Sequence, residues 1–195
     1  MCGIAGIYQL NSQATPDAQI LKKMNDSNNT LHDVTGRFSA PRIEQAGPLL
    51  VAGLREPVDE QAAEKIPQLW QRLVSCWDEI PQRVGPADYG LCIRLHEHEY
   101  CYMAACPVWD FTGLPQKFSP FIIPSQTYAV FEHKGSVQFI RDTIDFAFDQ
   151  WLPQSGYHHC VPQDYALHFF ERYGEQFNPQ TGEGDVEIWL PIAHH

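Results

Sequence analysis

Positive charge is scarce in this chain. Its 195 residues carry 13 Lys and Arg against 24 Asp and Glu, a formal net charge of −11. Phosphate backbones are gripped by clusters of Lys and Arg, and no such cluster occurs, which argues against a nucleic-acid-binding face. Long apolar runs are missing too. "LLVAGL" and "FII" fall far short of the ~20 residues that a membrane helix needs, and the first residues lack the basic start and apolar stretch of a secretory signal. The six cysteines form no CxxC pair and no finger-like spacing. They read as reduced, partly buried thiols, and the expected compartment is the cytoplasm. Of the nine histidines, two sit in "HEHE", read as a solvated hairpin tip, and four in the doublets His158-His159 and His194-His195. Metal ligands must converge from fixed elements, so neither a metal nor a cofactor is expected.

What the chain does have is apolar and aromatic material. Hydrophobic residues make up 44% and charged ones 19%, the balance of a globular chain. The aromatic share of 12% is generous for the size, and such side chains line cores or ligand pockets. Residues 1–38 differ in texture from the rest and form an N-terminal extension ahead of a module at 39–192.

Within that module one pattern runs twice. The first copy has the strand "GPLLVAGLRE", then a helix with Ile66, Leu69, Trp70, Leu73, Val74, Trp77 and Ile80 at helical spacing and Pro67 in its first turn. The strands "YGLCIRL" and "YCYMAACPV" follow. The second copy has "TYAVFEH", a helix with Val137, Ile140, Ile144, Ala147, Phe148 and Trp151 on its inner stripe, then "YALHFFE" and "VEIWLPI". The residues therefore suggest an α+β fold with a duplicated strand–helix–strand–strand unit. Phe139 and Phe146 stand off the second stripe, as on a helix buried twice or bordering a cavity.

One letter in "YALHFFERY" is out of place. Strand alternation puts Tyr165, Leu167, Phe169, Glu171 and Tyr173 on one face, a greasy aromatic wall interrupted by a carboxylate. Glu171 aligns with Leu95 of the first copy, so a groove shared by the halves would carry charge on one side only. A buried, unpaired carboxylate costs several kcal/mol and implies a partner or a function. A lipophilic cation meets that need through charge and through the rings. On parity the wall would hold Phe169, Tyr173 and Trp189, with Ile93 and Met103 from the first half and Phe146 from the second helix. Pairing of Glu171 with Arg94 or Arg172 is the structural alternative. The loop "GEQFNPQTGEGD" is expected to be an idle surface loop rather than a groove wall.

"TYAVFEHKG", the helix end "WLPQSGY" and "FERYGEQFNPQTGEGDVEIWLPI" together resemble the GyrI-like small-molecule-binding family, the effector-binding module of AraC- and MerR-type multidrug-responsive activators. The resemblance implies two βαββ halves in pseudo-twofold arrangement around a central groove for apolar, often cationic, compounds. It implies that Glu171 meets the ligand's charge and that Glu187 matches a second acidic position found in some members. About 40 residues precede the module, too few for the paired helix-turn-helix unit of an AraC-type activator. A binder without its own DNA-binding unit is thus expected, for drug sensing or sequestration. Two other readings come from the same superfamily: a hydrolase of strained cyclopropanoid toxins, with Glu171 as general base, and a protein-binding modulator of gyrase.

The opening "MCGIAGIYQLNSQATPDAQILKKMND" resembles the start of class II glutamine amidotransferases, where Cys2 would be the nucleophile. The Arg-Gly-Pro-Asp segment of that family is absent, with "LHDVTGRF" in its place. The stretch therefore reads as a non-catalytic fragment.

Overall fold

The computed structural model of the chain describes residues 38–96, 99–161 and 166–194. The amidotransferase-like opening with Cys2, the "HEHE" residues Glu97 and His98, Tyr165 and His195 lie outside them. The described residues form a largely antiparallel sheet carrying two helical segments, an α+β fold. The strands are β1 (Arg42–Ala46), β2 (Leu49–Pro57), β3 (Asp88–His96), β4 (Glu99–Pro107), β5 (Ser119–Ile123), β6 (Gln126–His133), β7 (Tyr157–His159), β8 (Ala166–Tyr173) and β9 (Val186–His194). Helix α1 (Ala62–Ser75) lies between β2 and β3, and α2 (Ile140–Asp145) between β6 and β7.

The sheet runs β1-β6-β9-β8-β3-β4-β2-β5, with β7 paired to β9. Only Pro124 and Ser125 separate β5 from β6, although six strand spacings lie between them in the sheet. Flat, those spacings would span roughly 29 Å at ~4.8 Å each, whereas three residues of chain reach about 10 Å. The sheet therefore curls strongly.

Its two faces are buried differently. On one, Ile66, Leu69 and Leu73 of α1 and Ile140, Ile144 and Ala147 of the second segment pack on alternate strand residues such as Cys92, Tyr102, Phe131, Phe169 and Ile188. The other holds Leu91, Ile93, Met103, Tyr128, Phe170 and Trp189 with no described helix over it; the curl brings these residues together.

Both expected helices are present, with three departures: α1 ends at Ser75, which leaves Trp77 in a following 3₁₀ turn and Ile80 past it. Val74 is half exposed rather than inward, because α1 turns it past the core. The second helix is irregular: a 3₁₀ turn at Val137–Phe139 leads into α2, and Phe146–Trp151 continues as a π-type turn. The widened turn carries the Phe146 ring onto Phe38, stacked at 4.6 Å, and edge-on to Phe131. No helix among the described residues is long and apolar enough to cross a membrane.

Candidate functional site

Strand β8 lies at the middle of the sheet, with β3 on one side and β9 on the other. Glu171 is registered opposite Gly90 of β3 and Ile188 of β9, and its side chain points toward the helices and is fully buried. Tyr102 of β4 and Tyr173 of β8 each donate a phenolic hydrogen to Glu171 Oε2, at 2.6 and 2.7 Å. Trp70 of α1 donates from Nε1 to the Tyr102 oxygen at 3.2 Å. The other carboxyl oxygen, Oε1, is buried and has no hydrogen-bond partner among the described residues.

Gly90 makes this arrangement possible. A Cβ there would lie 2.0 Å from the Tyr102 hydroxyl and 2.5 Å from Glu171 Oε2, so any side chain would occupy the space where phenol and carboxylate meet. Burial pushes the Glu171 carboxyl up to about 7, with the two tyrosine hydrogen bonds pulling it partly back. Burial and the adjacent carboxyl push both phenols well above their ordinary range, so they remain donors at neutral pH.

In front of this group lies a cavity of about 620 Å³ between α1, the turn at Trp77–Glu79 and the chain following β8. Its apolar lining includes Trp70, Val74, Trp77, Tyr173 and Phe177, and Asp88 and Glu175 supply carboxyls. Trp70 and Tyr173 belong to both the cavity wall and the hydrogen-bond group, and their rings meet edge-on at 5.3 Å. Glu171 is not itself a lining residue. It stands behind that pair of rings.

Asp88, opposite Tyr173 in the sheet, shares the face of Glu171. Its carboxyl is raised to about 6 by burial, against the pull of Arg83 at 3.3 Å. The Arg83 guanidinium lies over the Trp77 ring, 4.2 Å from its centroid. Gln82, just before it, has φ of 60° without being glycine, a conformation held only where the surroundings enforce it.

The expected wall is thus only partly brought together. Phe169 and Tyr173 share the face of Glu171, and Tyr173 reaches the cavity. Leu167 does not share that face, because a bulge opposite Cys92 and Ile93 reverses the alternation below Phe169 and turns Leu167 to the other side. Ile93, Met103 and Trp189 also lie on that other face. Parity along β9 puts Ile188, not Trp189, beside Glu171. Glu187 is on the Trp189 side and is engaged: it accepts from Arg42 at 2.7 Å and from Trp189 Nε1 at 2.9 Å, with Arg172 at 3.5 Å. Arg172 is bound to Glu187 and Asp185, each at 3.5 Å, so it is not the counter-ion of Glu171. Phe146 packs on Phe38 and Phe131, away from the cavity lining.

The loop expected to be idle supplies Gly174, Glu175, Phe177, Pro179 and Gln180 to the cavity, a correction that follows from Phe177 packing on Tyr173 at 4.8 Å. Sequence reading also missed Gly90, Tyr102 and Asp88, and took Trp70 and Trp77 for core alone. One signal for Gly90 was available: glycine inside a strand marks a close approach.

Comparison with known proteins follows the same lines. The chain is 26% identical over 187 residues to the transcriptional regulator BrlR of Pseudomonas aeruginosa, covering 95% of this chain and 67% of BrlR. Among solved structures it is similar to SAV2435 bound to tetraphenylphosphonium, with a TM-score of 0.60, 22% identity, and 80% of this chain and 94% of that one covered. EcmrR, in a cryo-EM complex with DNA, gives a TM-score of 0.62 at 17% identity over 91% of this chain and 70% of its own. Residues 39–193 match the model of the GyrI-like small molecule binding domain, and the chain belongs to that family.

Proposed function

We propose that the protein binds small lipophilic molecules, preferably cations, in the cavity beside α1, with Glu171 as the charge that holds them. The observation carrying this reading is a fully buried carboxyl with one oxygen unpartnered, directly behind two rings that also wall a cavity of about 620 Å³. Such a group is costly to keep unless something meets it.

A cation at ~4 Å from Glu171 gains roughly 4 kcal/mol at an effective dielectric near 20. Each ring beneath it adds about 0.5–2 kcal/mol. Neither contribution needs strict directionality, so many apolar cations fit. Entry requires the Trp70 and Tyr173 rings to part, since Glu171 is fully buried behind them. The likeness to SAV2435, solved with tetraphenylphosphonium, and to the regulator BrlR supports a role as the effector-sensing or sequestering part of a drug response. We further propose that the module arose by duplication, with halves β2-α1-β3-β4 and β6-α2-β8-β9 meeting at β3 and β8 about a pseudo-twofold axis. The mirrored strand order on either side of that pair supports it.

The test is titration of wild type and Glu171→Gln with tetraphenylphosphonium by calorimetry and thermal shift. Saturable binding by wild type, weakened at least tenfold in the variant, is expected. Equal affinity in both removes Glu171 from the site.

A further inference from the structure

Glu171 does not account for the polar chemistry of the cavity. Asp88 lines the cavity directly, and it is a wall residue by register, because its partner across the sheet is Tyr173. Glu171 faces Gly90, two positions along β3 and on the same side. At ~3.4 Å per residue along a strand and ~5 Å across it, the two acidic positions are on the order of 8 Å apart. The space over Gly90 between them is taken by the Tyr102 hydroxyl and the Glu171 carboxyl.

Asp88 is also built for a cation already. Its outer side is held by Arg83 at 3.3 Å, and that guanidinium lies over Trp77, another wall residue. The pairing of carboxylate and ring that a guest cation would want therefore exists at this end of the cavity, with a tethered cation meeting it from outside the lining. The ion pair is long, and Arg83 has its side chain 31% exposed. Asp88 thus keeps acceptor capacity toward the cavity, since a carboxylate accepts several hydrogen bonds and Arg83 uses only part of them.

We infer that Asp88 is a second anionic anchor, so that the cavity selects compact aromatic or apolar molecules bearing two cationic groups about 8 Å apart over analogues bearing one. Arg83 tunes this end: it lowers the attraction of Asp88 for a guest and offsets part of its charge. This inference rests on the proposed role of Glu171 at the other end.

The experiment compares a matched pair of probes, p-xylylenebis(trimethylammonium) and benzyltrimethylammonium, by calorimetry on the full chain. Wild type should bind the dication at least tenfold tighter. Asp88→Asn, close to isosteric, should reduce that preference about tenfold, because it weakens the dication more than the monocation. Arg83→Gln should move the preference the opposite way, which a merely destabilised protein would not do. An unchanged ratio in both variants overturns the assignment of Asp88. A ratio that falls only in Glu175→Gln transfers the anchor to that exposed wall residue and overturns it as well. Failure of the underlying reading looks different: wild type binds neither probe, or Glu171→Gln leaves both affinities untouched, and the second anchor then falls with the first.

Discussion

Cation binding at Glu171 should release a proton, and the affinity should follow the ionisation of that one carboxyl. Burial raises it from 4.5 to about 7, so about nine tenths is ionised at pH 8 and about a tenth at pH 6. If only the carboxylate holds the guest, tetraphenylphosphonium binds roughly tenfold more weakly at pH 6 than at pH 8, and about thirtyfold at pH 5.5. The same linkage governs the stability of the fold. A carboxyl whose folded value lies above its unfolded one favours the folded state while protonated. Its contribution is therefore complete below about 4.5 and is lost as pH rises through about 7, leaving a cost of roughly 3 kcal/mol above that. Glu171→Gln should remove the cost, so the variant gains stability over wild type at pH 8 and little at pH 4.5.

Calorimetry in buffers of different ionisation enthalpy counts the protons directly. About 0.9 proton should leave per cation bound at pH 6, and about 0.1 at pH 8. Urea unfolding of both proteins across the same range reads the stability side. Affinity flat from pH 5.5 to 8.5 with no proton released would refute the reasoning. So would a glutamine variant that is equally destabilised at both ends, since that outcome means an internal partner keeps the carboxyl charged.

Two further outcomes follow from the packing and from buried imidazoles. Gly90→Ala places a methyl 2.0 Å from the Tyr102 hydroxyl and 2.5 Å from Glu171 Oε2; overpacking of about 1–3 kcal/mol is expected in urea unfolding, with tetraphenylphosphonium binding lost, and a variant that binds normally would show that the close approach is dispensable. His168 stacks on Phe148 at 5.1 Å, close to His159, and burial drives its ring down to about 3 and that of His159 to about 4. Since a lowered folded value stabilises only above the unfolded one, the acid limb of wild-type stability should carry a loss of about 3 kcal/mol from His168 between pH 6.5 and pH 4, set against the opposite trend of Glu171. His168→Phe should flatten that acid limb; an unchanged limb would mean the ring takes its proton while folded.

The strands were legible because their alternation is local. "YGLCIRL", "TYAVFEH" and "VEIWLPI" each fall within a strand of the structure, "YCYMAACPV" overruns β4 by Val108 alone, and the α1 stripe Ile66, Leu69, Trp70 and Leu73 is the buried one. Strands β1, β5 and β7 were not read. They are short and edge-like, with exposed residues at Ile43 and Ile122, so little of their pattern records a buried face. The irregular second helix escaped for another reason: a π-type turn keeps the apolar letters but changes the angle at which Phe146 leaves the axis.

The site itself shows where a strand pattern stops informing. Alternation separates Ile188 from Trp189 with certainty, yet says nothing about which of them shares a face with Glu171. Choosing the larger ring gave the wrong side, because the register is set by pairing between β8 and β9, which sequence distance hides. The bulge opposite Cys92 and Ile93 is the same kind of fact, a phase change that exists only once two strands are aligned. Tyr102 and Gly90 reach Glu171, and Trp70 reaches Tyr102, from three elements distant in the chain, and no local rule joins them. The acid could nonetheless be found, because its cost is local. A carboxyl among Phe169, Phe170 and Tyr173 raises its own proton affinity by the burial that those neighbours impose. On the proposed function, a protein that retains it draws on the charge through a guest, and the two tyrosine hydrogen bonds to Oε2 leave Oε1 to meet that guest.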